Sequence, residues 1–582
     1  MFSRKFWMTG VLLAVATTGS YAKQPKFAPL TPLTPEQSAL IEKAVAREKA
    51  TVKQIQQRAP IVQTYIQNMK ADAKLYSVPV SDQYILSRVD FGKTFTAKEY
   101  SGRGVSRGLF KGSLGAVTGL GKAFHFTREY QSTGFMDMMF IDPVGFDQQH
   151  YDFTYVRREF LGSVRSDVFD VRPKVDVKDK GRFFGRIWVE DQDGNIVRFN
   201  GTYTGSNEGG GNQYFHFDSW RNNLQPDVWL PVAIYVEESS TNGGRHDEGF
   251  RAQTHFWGYS LKLPTHESDS ESIQVENATD QTGAQDVSPL QAQRDWVTQA
   301  EQNVLDRLVQ AGLLAAPSDF DKQVLETITN NIIIGNKLVL PGDVHCRVLL
   351  TSPLESLAVG NTILLSKGLV DVLPYEEDLA AVISFQLAHI ALGHHIDTRY
   401  AFNDRLLFPD ESTFQRIKMN HTSGDDAEAA KKAVEFLNNS VYHDKLPNAG
   451  LFFTQLIDRE KQLPALVTPR LGDSLVNEEG QPWLAELSKQ SPKLEVDKLD
   501  QIAALPLGSH LKTDPWDDRV YQLNVKAAPI ISARDKMPLE LTPVFLRLSR
   551  YTPPQLGQPV PAATGSAQVS PGNTGTNPPQ QQ

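Results

Sequence analysis

The sequence has few of the features that mark several large classes of protein. It contains a single cysteine in 582 residues, Cys346, so no disulfide can form within one chain. Its 59 basic residues are outnumbered by 68 acidic ones, and there is no basic block, so we expect no nucleic-acid binding. Beyond the first 22 residues no apolar run reaches the roughly 18 residues that a spanning helix needs. We therefore expect no transmembrane helix in the mature chain.

Common catalytic and metal-binding signatures are also scarce. There is no G-x-x-x-x-G-K-[ST] phosphate loop, and one cysteine cannot form a metal knuckle. Cys346 lies in a predicted strand, where a small core residue is a simpler interpretation than a nucleophile. The Asp-Gln-Asp-Gly stretch at 191–194 lacks the twelfth-position glutamate of a calcium loop, and we interpret it as a hairpin turn.

Residues 1–22 have the pattern of a secretory signal peptide. Arg4 and Lys5 form the charged start, residues 6–15 the short apolar core, and residues 20–22 a small-x-small cleavage site. An uncleaved anchor is the alternative. We expect an exported protein, periplasmic or extracellular, whose stability comes from packed cores rather than from disulfides.

The remaining chain divides by composition and periodicity. Thr34-Pro35-Glu36 is a strong helix start, Pro60 should interrupt that helix, and residues 61–69 are predicted to resume it. Alternating apolar positions around the turn at 191–195 predict an antiparallel hairpin. The seven glycines in residues 101–121 favour a surface loop. The predicted units are a helical region at 23–90, an antiparallel β domain at 91–263, an acidic linker at 264–289, a mainly helical domain at 290–550 and a disordered Pro/Gln-rich tail at 551–582.

The β-rich part resembles a known superfamily. The strand-turn-strand rhythm of residues 150–263, with Trp229-Leu230-Pro231 before the last strand, is similar to that of lipoprotein-carrier-like proteins. The resemblance implies a half-barrel sheet that holds an acyl chain or an apolar peptide. The alternative is a sheet whose aromatic residues simply form its own core.

A second resemblance rests on residues 376–397, EEDLAAVISFQLAHIALGHHID. Acidic residues at the start and an apolar circumference predict a buried central helix. This helix resembles that of the gluzincin zinc metallopeptidases, the family of the CAAX prenyl endopeptidases and HtpX. Such proteins carry H-E-x-x-H, two zinc ligands with a glutamate as general base. The resemblance places Phe385 at the first ligand, Gln386 at the base and His389 at the second ligand.

The resemblance extends beyond this helix, with further departures. Asp426 matches the third ligand, a glutamate in the family, and His394 matches a histidine found beyond the motif. Downstream, His510 and Arg519 match residues that lie near the active cleft in the family. Glu428, His394 or His395 are alternative ligands or bases. His421, His443 and His510 are interpreted as surface or loop histidines.

These observations predict an α+β protein with a half-barrel-like antiparallel sheet domain and a mainly helical, metallopeptidase-like domain. Phe385 has no donor atom and Gln386 cannot accept a proton near neutral pH, so hydrolysis by the family mechanism is not expected. We expect a binding scaffold for a polypeptide or envelope protein, with no cofactor. The alternatives are an active zinc endopeptidase with non-standard ligands, and a lipid or lipoprotein carrier that works through the β domain.

Overall fold

The computed structural model describes most of the chain in separate ranges. These are residues 32–72, 76–91, 96–99, 135–143, 145–174, 182–203, 213–240, 249–259, 289–373, 375–398, 401–402, 419–493, 511–513, 520–522, 546 and 548–551. The predicted signal peptide, the glycine-rich segment, the acidic linker before residue 289 and the tail after residue 551 lie outside these ranges, so their interpretations stay predictions.

The first element in the described ranges is the predicted helix α1 (Pro35–Gln56). Thr34 and Gln37 form a reciprocal capping box at its start, and Pro35 occupies the first turn. The expectation that the helix resumes after Pro60 is wrong, because residues 61–72 form a strand. The apolar residues of this stretch fit both the spacing of a helix and the alternation of a strand. Pairing with the neighbouring strand selects the strand.

One large sheet occupies the first half of the chain. Its ten strands are all antiparallel to their neighbours, and the sheet is open, with β3 and β4 at its edges in the order β3-β2-β1-β10-β9-β8-β7-β6-β5-β4. The strands are β1 (Ile61–Asp72), β2 (Tyr76–Asp90), β3 (Thr96–Glu99), β4 (Tyr151–Leu161), β5 (Val164–Pro173), β6 (Phe183–Glu190), β7 (Ile196–Tyr203), β8 (Gln213–Gln225), β9 (Val228–Ser240) and β10 (Phe250–Trp257).

The hairpin turn between β6 and β7 is confirmed. Glu190 accepts hydrogen bonds from the backbone N–H groups of Gln192, Asp193 and Asn195, and Gly194 has a positive φ of 75°. Glu190 therefore stabilises the turn and Asp191 pairs with Arg165, so a calcium loop is not needed to explain these acidic residues.

The two faces of the sheet carry separate apolar cores. One face, rich in phenylalanine, packs against α1 and against residues 135–146, which include a short 3₁₀ helix at Met136–Met139. The opposite face carries Trp188, Trp220 and Trp229, packed with Leu548 from the C-terminal part of the chain. The sheet is thus buried on both faces over much of its width.

The second half is mainly helical around a small mixed sheet. The four strands of that sheet are ordered β11-β13-β12-β14, with β11 parallel to β13. The predicted strand that contains Cys346 is β11. The elements are α2 (Pro289–Gln310), a π-helical turn (Asp321–Leu325), α3 (Glu326–Asn336), β11 (His345–Leu349), β12 (Glu355–Val359), β13 (Thr362–Ser366), α4 (Lys367–Val372), α5 (Glu376–Leu392), α6 (Ser423–Asn438), a 3₁₀ turn (His443–Lys445), α7 (Leu446–Arg459), α8 (Pro464–Val467), β14 (Asp473–Ser474) and α9 (Ala485–Gln490); a further pair, β15 (Leu511–Thr513) and β16 (Val520–Gln522), forms its own two-stranded sheet.

Helix α5 is the predicted buried central helix, and it is shorter than predicted. Residues 377–390 are all buried, but the helix ends at Leu392 because Gly393 adopts the left-handed conformation (φ 73°) and caps it. The sequence after Gly393 is therefore not helical. This places His394 beside the last turn of the helix instead of along its face.

The two halves pack against each other, and the α+β class is confirmed. Arg88 on β2 donates to the carbonyl of Ala311, and Trp257 on β10 donates to that of Gly312. Asp82 on β2 accepts from backbone N–H groups at the start of α8. Within the described residues, no helix combines the length and apolar character needed to cross a membrane.

Candidate metal centre

Helix α5 carries the three residues that the sequence resemblance places at a zinc-binding motif. The Phe385 ring lies edge-on to the His389 ring, with 4.9 Å between centroids. The Gln386 amide nitrogen donates to Ser356 Oγ at 2.8 Å and lies 3.3 Å from Asp473 Oδ2. Phe385 thus packs against the retained histidine, and Gln386 serves a buried hydrogen-bond network. Neither supplies a metal ligand or a general base.

The structure brings His389 and Asp426 together, as their positions in the motif predict. His389 is fully buried near the end of α5, and Asp426 lies in the first turn of α6. His389 Nε2 is 3.4 Å from Asp426 Oδ1. The contact has an ion-pair distance but not the geometry of a hydrogen bond, and both atoms are without a hydrogen-bond partner.

His421 completes the group, although the sequence pattern indicated a surface or loop histidine. Its side chain is buried, and its ring stacks on that of His389 with 3.9 Å between centroids and an interplanar angle of 27°. The loop position is right, since His421 lies in the connection just before the capping box of α6, but the surface position is wrong. Only the tertiary packing of α6 against α5 brings it inward.

Asp473 on β14 is a second residue that the sequence did not indicate. Its Oδ2 is 2.8 Å from His421 Nδ1, and its Oδ1 accepts the backbone N–H of His421 at 2.7 Å. Its carboxylate is fully buried. A carboxylate that holds Nδ1–H leaves Nε2 of the same ring as a free lone pair, as in carboxylate–histidine–metal arrangements.

The other predicted site residues have different positions. His394 Nδ1 is 3.1 Å from His389 Nδ1, and His394 Nε2 lies 3.8 Å from both Asp425 Oδ1 and Glu428 Oε2. His395 is exposed and contacts Glu301 at 2.8 Å, away from the cluster. His510 and Arg519 lie outside the described residues, so their place near the cleft stays a prediction.

The electrostatics of the cluster follow from its burial. Desolvation, together with the neighbouring His421 and His394, lowers the pKa of His389 to about 2. Desolvation and the charge of Asp473 raise the pKa of Asp426 to about 8. Burial alone would lower the pKa of His421, but its hydrogen bond to Asp473 and the surrounding acids raise it. The charged forms of His389 and Asp426 are therefore disfavoured, whereas the raised pKa of His421 favours its protonated form.

The donor atoms of the cluster fit a divalent cation. His389, His421, Asp426 and Asp473 each offer one ligand atom, and these atoms lie within 4.8 Å of one another. The Nε2 atoms of both histidines and Oδ1 of Asp426 have no hydrogen-bond partner. Two imidazoles with a carboxylate are a donor set that suits zinc and related transition metals.

The comparisons with known proteins give limited information. No family model and no curated protein matches the chain. Solved structures with some likeness include a LolA superfamily protein from Nitrosomonas europaea (12% identity, 39% of this chain, 94% of that chain, TM-score 0.22). A domain classed as an outer-membrane lipoprotein-sorting protein from Vibrio parahaemolyticus (10%, 40%, 98%, 0.22) and a DUF1329 family protein from Desulfovibrio piger (13%, 40%, 99%, 0.21) are similar to the same degree.

One of the three is named for lipoprotein sorting. At such TM-scores and identities the likeness by itself establishes neither a common fold nor a common function.

Proposed function

We propose that this protein is an exported, non-hydrolytic carrier of an apolar ligand of the lipid or lipoprotein class, bound on the phenylalanine-rich face of the large sheet. The observation that carries the proposal is the way this face is covered. In the described residues, the regular helix α1 covers one part of the face, and the irregular segment 135–146 covers another, together with Phe91 and Tyr259. A regular second layer would make the face a permanent core, whereas a short irregular segment can be displaced at a smaller cost in backbone hydrogen bonds.

The composition of that segment suits an adaptable cover. Met136, Met138 and Met139 are all buried in it, and Phe135 stacks on Phe250 with 5.3 Å between ring centroids. Methionine side chains are flexible and polarizable, and they are frequent on surfaces that accept different apolar partners. Displacing this segment would free phenylalanine rings on several neighbouring strands, enough to accommodate an acyl chain.

Two residues of the sheet hold the first part of the segment through its backbone. Arg221 on β8 donates to the Met139 carbonyl at 3.1 Å, and Tyr203 on β7 donates to the carbonyls of Asp137 and Phe140. These are hydrogen bonds to backbone carbonyls, which water can replace when the segment moves. Near the end of the segment, the Asp142 side chain pairs with Arg182 and accepts a hydrogen bond from the Tyr151 hydroxyl, so displacing that end would break a buried ion pair.

The absence of hydrolysis rests on α5. With Phe385 at the first ligand position and Gln386 donating to Ser356 and Asp473, the described cluster offers no carboxylate in the place of the family's general base. Loss of such a base costs roughly 10²–10⁴-fold in rate. A bound ligand would accordingly leave the protein chemically unchanged.

The test is saturable binding of a fluorescent fatty acid, combined with mass spectrometry of molecules extracted from the purified full-length protein. We expect an extracted apolar molecule and a displaceable probe. Phe250→Ser should weaken probe binding at least tenfold, since it removes the ring that stacks on Phe135. The matched control is Phe160→Ser on β4, whose side chain is 66% exposed and should not affect binding. Folded protein that binds no probe and yields no apolar molecule would refute the carrier.

A polypeptide-binding scaffold is the second candidate, and the Phe385 and Gln386 positions favour it. A protease-like helix without its base is suited to holding a chain rather than cutting it. The test is anisotropy of a labelled unfolded polypeptide, followed by its recovery. An intact bound polypeptide would support the scaffold. Chelator-sensitive cleavage that is lost in His389→Ala would instead show an active endopeptidase.

A further inference from the structure

Three buried atoms in the second half of the chain point towards one position and lack partners. They are His389 Nε2 on α5, His421 Nε2 just before α6, and Asp426 Oδ1 on α6. Their residues are exposed by 0%, 2% and 8% respectively. Leaving a polar group buried and unpaired costs about 1–3 kcal/mol. Three such atoms converging from different segments are better explained by a missing common partner than by three independent defects.

The spacing fits a metal ion. A tetrahedral zinc ion holds nitrogen and oxygen ligands at about 2.0–2.2 Å, so two of its ligands lie about 3.4 Å from each other. His389 Nε2 and Asp426 Oδ1 are 3.4 Å apart. The candidate ligand atoms of the whole cluster lie within 4.8 Å of one another, so small side-chain adjustments would suffice to close the set around one ion.

The surroundings prepare both histidines as ligands. The Nδ1 atom of His421 faces Asp473 Oδ2 at 2.8 Å, and the Nδ1 atom of His389 faces His394 Nδ1 at 3.1 Å. With a proton on each of these Nδ1 atoms, both Nε2 atoms keep a free lone pair that can bind a metal ion. Hydrogen bonds through Nδ1 of this kind fix the orientation and tautomer of metal-binding imidazoles.

Asp473 has a supporting role in this arrangement. Its two oxygens accept from the backbone and the ring of His421, and Gln386 lies against it from α5. The residue at the former base position thus holds the carboxylate that orients His421. This leaves three protein ligands and a fourth position for water or another donor.

We propose that His389, His421 and Asp426 bind one zinc-class divalent ion, with Asp473 and His394 as positioning residues. The ion would join α5, the entry to α6 and, through Asp473, β14. This site differs from the one that the sequence motif implies, because His421 comes from outside the motif and takes the place of the ligand lost at Phe385. The proposal does not depend on the carrier function, since a metal-binding carrier and a metal-free carrier are both possible.

The test uses the full chain, stripped with a chelator and dialysed against Zn²⁺. Elemental analysis should find one zinc per chain, and the melting temperature should rise on loading. His421→Ala should lose the ion and the shift in melting temperature. His443→Ala, which removes an exposed imidazole in a 3₁₀ turn, should retain both. Asp473→Asn should weaken zinc binding ten- to a hundredfold, as expected for a positioning residue.

Two outcomes would overturn the site. One is a folded wild-type chain that takes up no zinc, and the other is stoichiometric zinc retained in His421→Ala. If His421→Ala fails to fold, the visible spectrum of Co²⁺-loaded wild-type protein tests the site instead. Tetrahedral coordination by nitrogen and oxygen ligands gives intense absorption bands, whereas octahedrally hydrated Co²⁺ in solvent does not. None of these readouts depends on lipid binding, so failure of this site and failure of the carrier are distinguishable.

Discussion

Two buried polar clusters in this protein differ in how completely they are satisfied. In the sheet, Arg198 on β7 and Asp218 on β8 form a bidentate pair, with nitrogen–oxygen distances of 2.9 and 2.8 Å and both side chains 2% exposed. The guanidinium lies between the rings of Trp188 and Trp220, at 4.3 and 4.4 Å from their centroids. In the helical half, the cluster at His389 keeps three ligand-type atoms unpaired.

The difference indicates what each cluster is for. A bidentate pair that uses both carboxylate oxygens and stacks its cation on aromatic rings closes on itself, so it fixes strand pairing and needs no further partner. A cluster of two imidazoles and a carboxylate with free lone pairs can still bind a further partner, such as a metal ion. Variants of the first should therefore change stability alone, and variants of the second should change stability through an ion.

The largest effect is expected at the closed cluster. Asp218→Ala leaves the Arg198 guanidinium buried and without its carboxylate, which should lower the free energy of unfolding by about 3–5 kcal/mol. Urea unfolding with the metal content measured in parallel is the check. The matched control is Asp170→Ala, since Asp170 pairs with Arg186 in the same bidentate way but is 51% exposed.

The control should lose less than about 1 kcal/mol, because solvent replaces much of an exposed pair. Equal losses in Asp218→Ala and Asp170→Ala would mean that burial does not set the strength of these pairs. A change in metal content in either variant would contradict the expectation that the Arg198–Asp218 pair affects stability alone.

A second prediction concerns the contact between the two halves and its pH dependence. Burial raises the pKa of Asp82 to about 6, although it accepts from the N–H groups of Ala465 and Leu466 and from the Tyr65 hydroxyl. The folded state therefore holds this proton more tightly than the unfolded state does. Stability from this group is present below pH 4 and is lost as the pH rises through 6, by up to about 3 kcal/mol.

Urea unfolding of wild type and Asp82→Asn at several pH values isolates this effect. The difference in unfolding free energy between them should change between pH 4 and 6 and be constant on either side of that window. Parallel curves for the two proteins over the whole range would show that Asp82 does not titrate in the contact.

The fold was predictable where a local rule decides the structure. The capping box at Thr34, the turn at residues 191–195 and the buried start of α5 each follow from residues close in sequence. Residues 61–69 were mispredicted because their apolar spacing suits either period, and only the pairing of β1 with β2 and β10 selects a strand.

The candidate site was half predictable for the same reason. His389 and Asp426 could be found because a motif relates them along two helices. His421 and Asp473 carry no local signal, and they join the cluster only through the packing of α6 and β14 against α5 and β12. A sequence pattern indicates ligands in regular elements, whereas ligands from connecting segments depend on the tertiary structure.

A smaller effect is expected from restoring the motif residue at position 386. Gln386→Glu replaces an amide donor by a carboxylate beside Asp473, at a site where Gln386 is fully buried. We expect a loss of about 1–3 kcal/mol at neutral pH, from the lost hydrogen bonds and from repulsion between carboxylates. Gln386→Met removes the same donor without adding charge. At pH 7 the free energy of unfolding should be lower for Gln386→Glu than for Gln386→Met, and this difference should become smaller at acidic pH. Equal unfolding free energies of the two variants would exclude repulsion between the carboxylates.

The smallest effect is expected from removing helix caps, and it distinguishes a change in helix stability from a change in ion binding. Thr422, next to His421, caps α6 through a reciprocal box with Asp425, and Thr34 caps α1 in the same way with Gln37. Thr422→Ala and Thr34→Ala should each lower the free energy of unfolding by about 1 kcal/mol. Only Thr422→Ala should also weaken zinc binding, since fraying the first turn of α6 displaces both His421 and Asp426. Isothermal titration of both variants is the measurement. Equal zinc affinities would mean that the ligands are held by α5 and β14 alone, and that the start of α6 has no part in shaping the site.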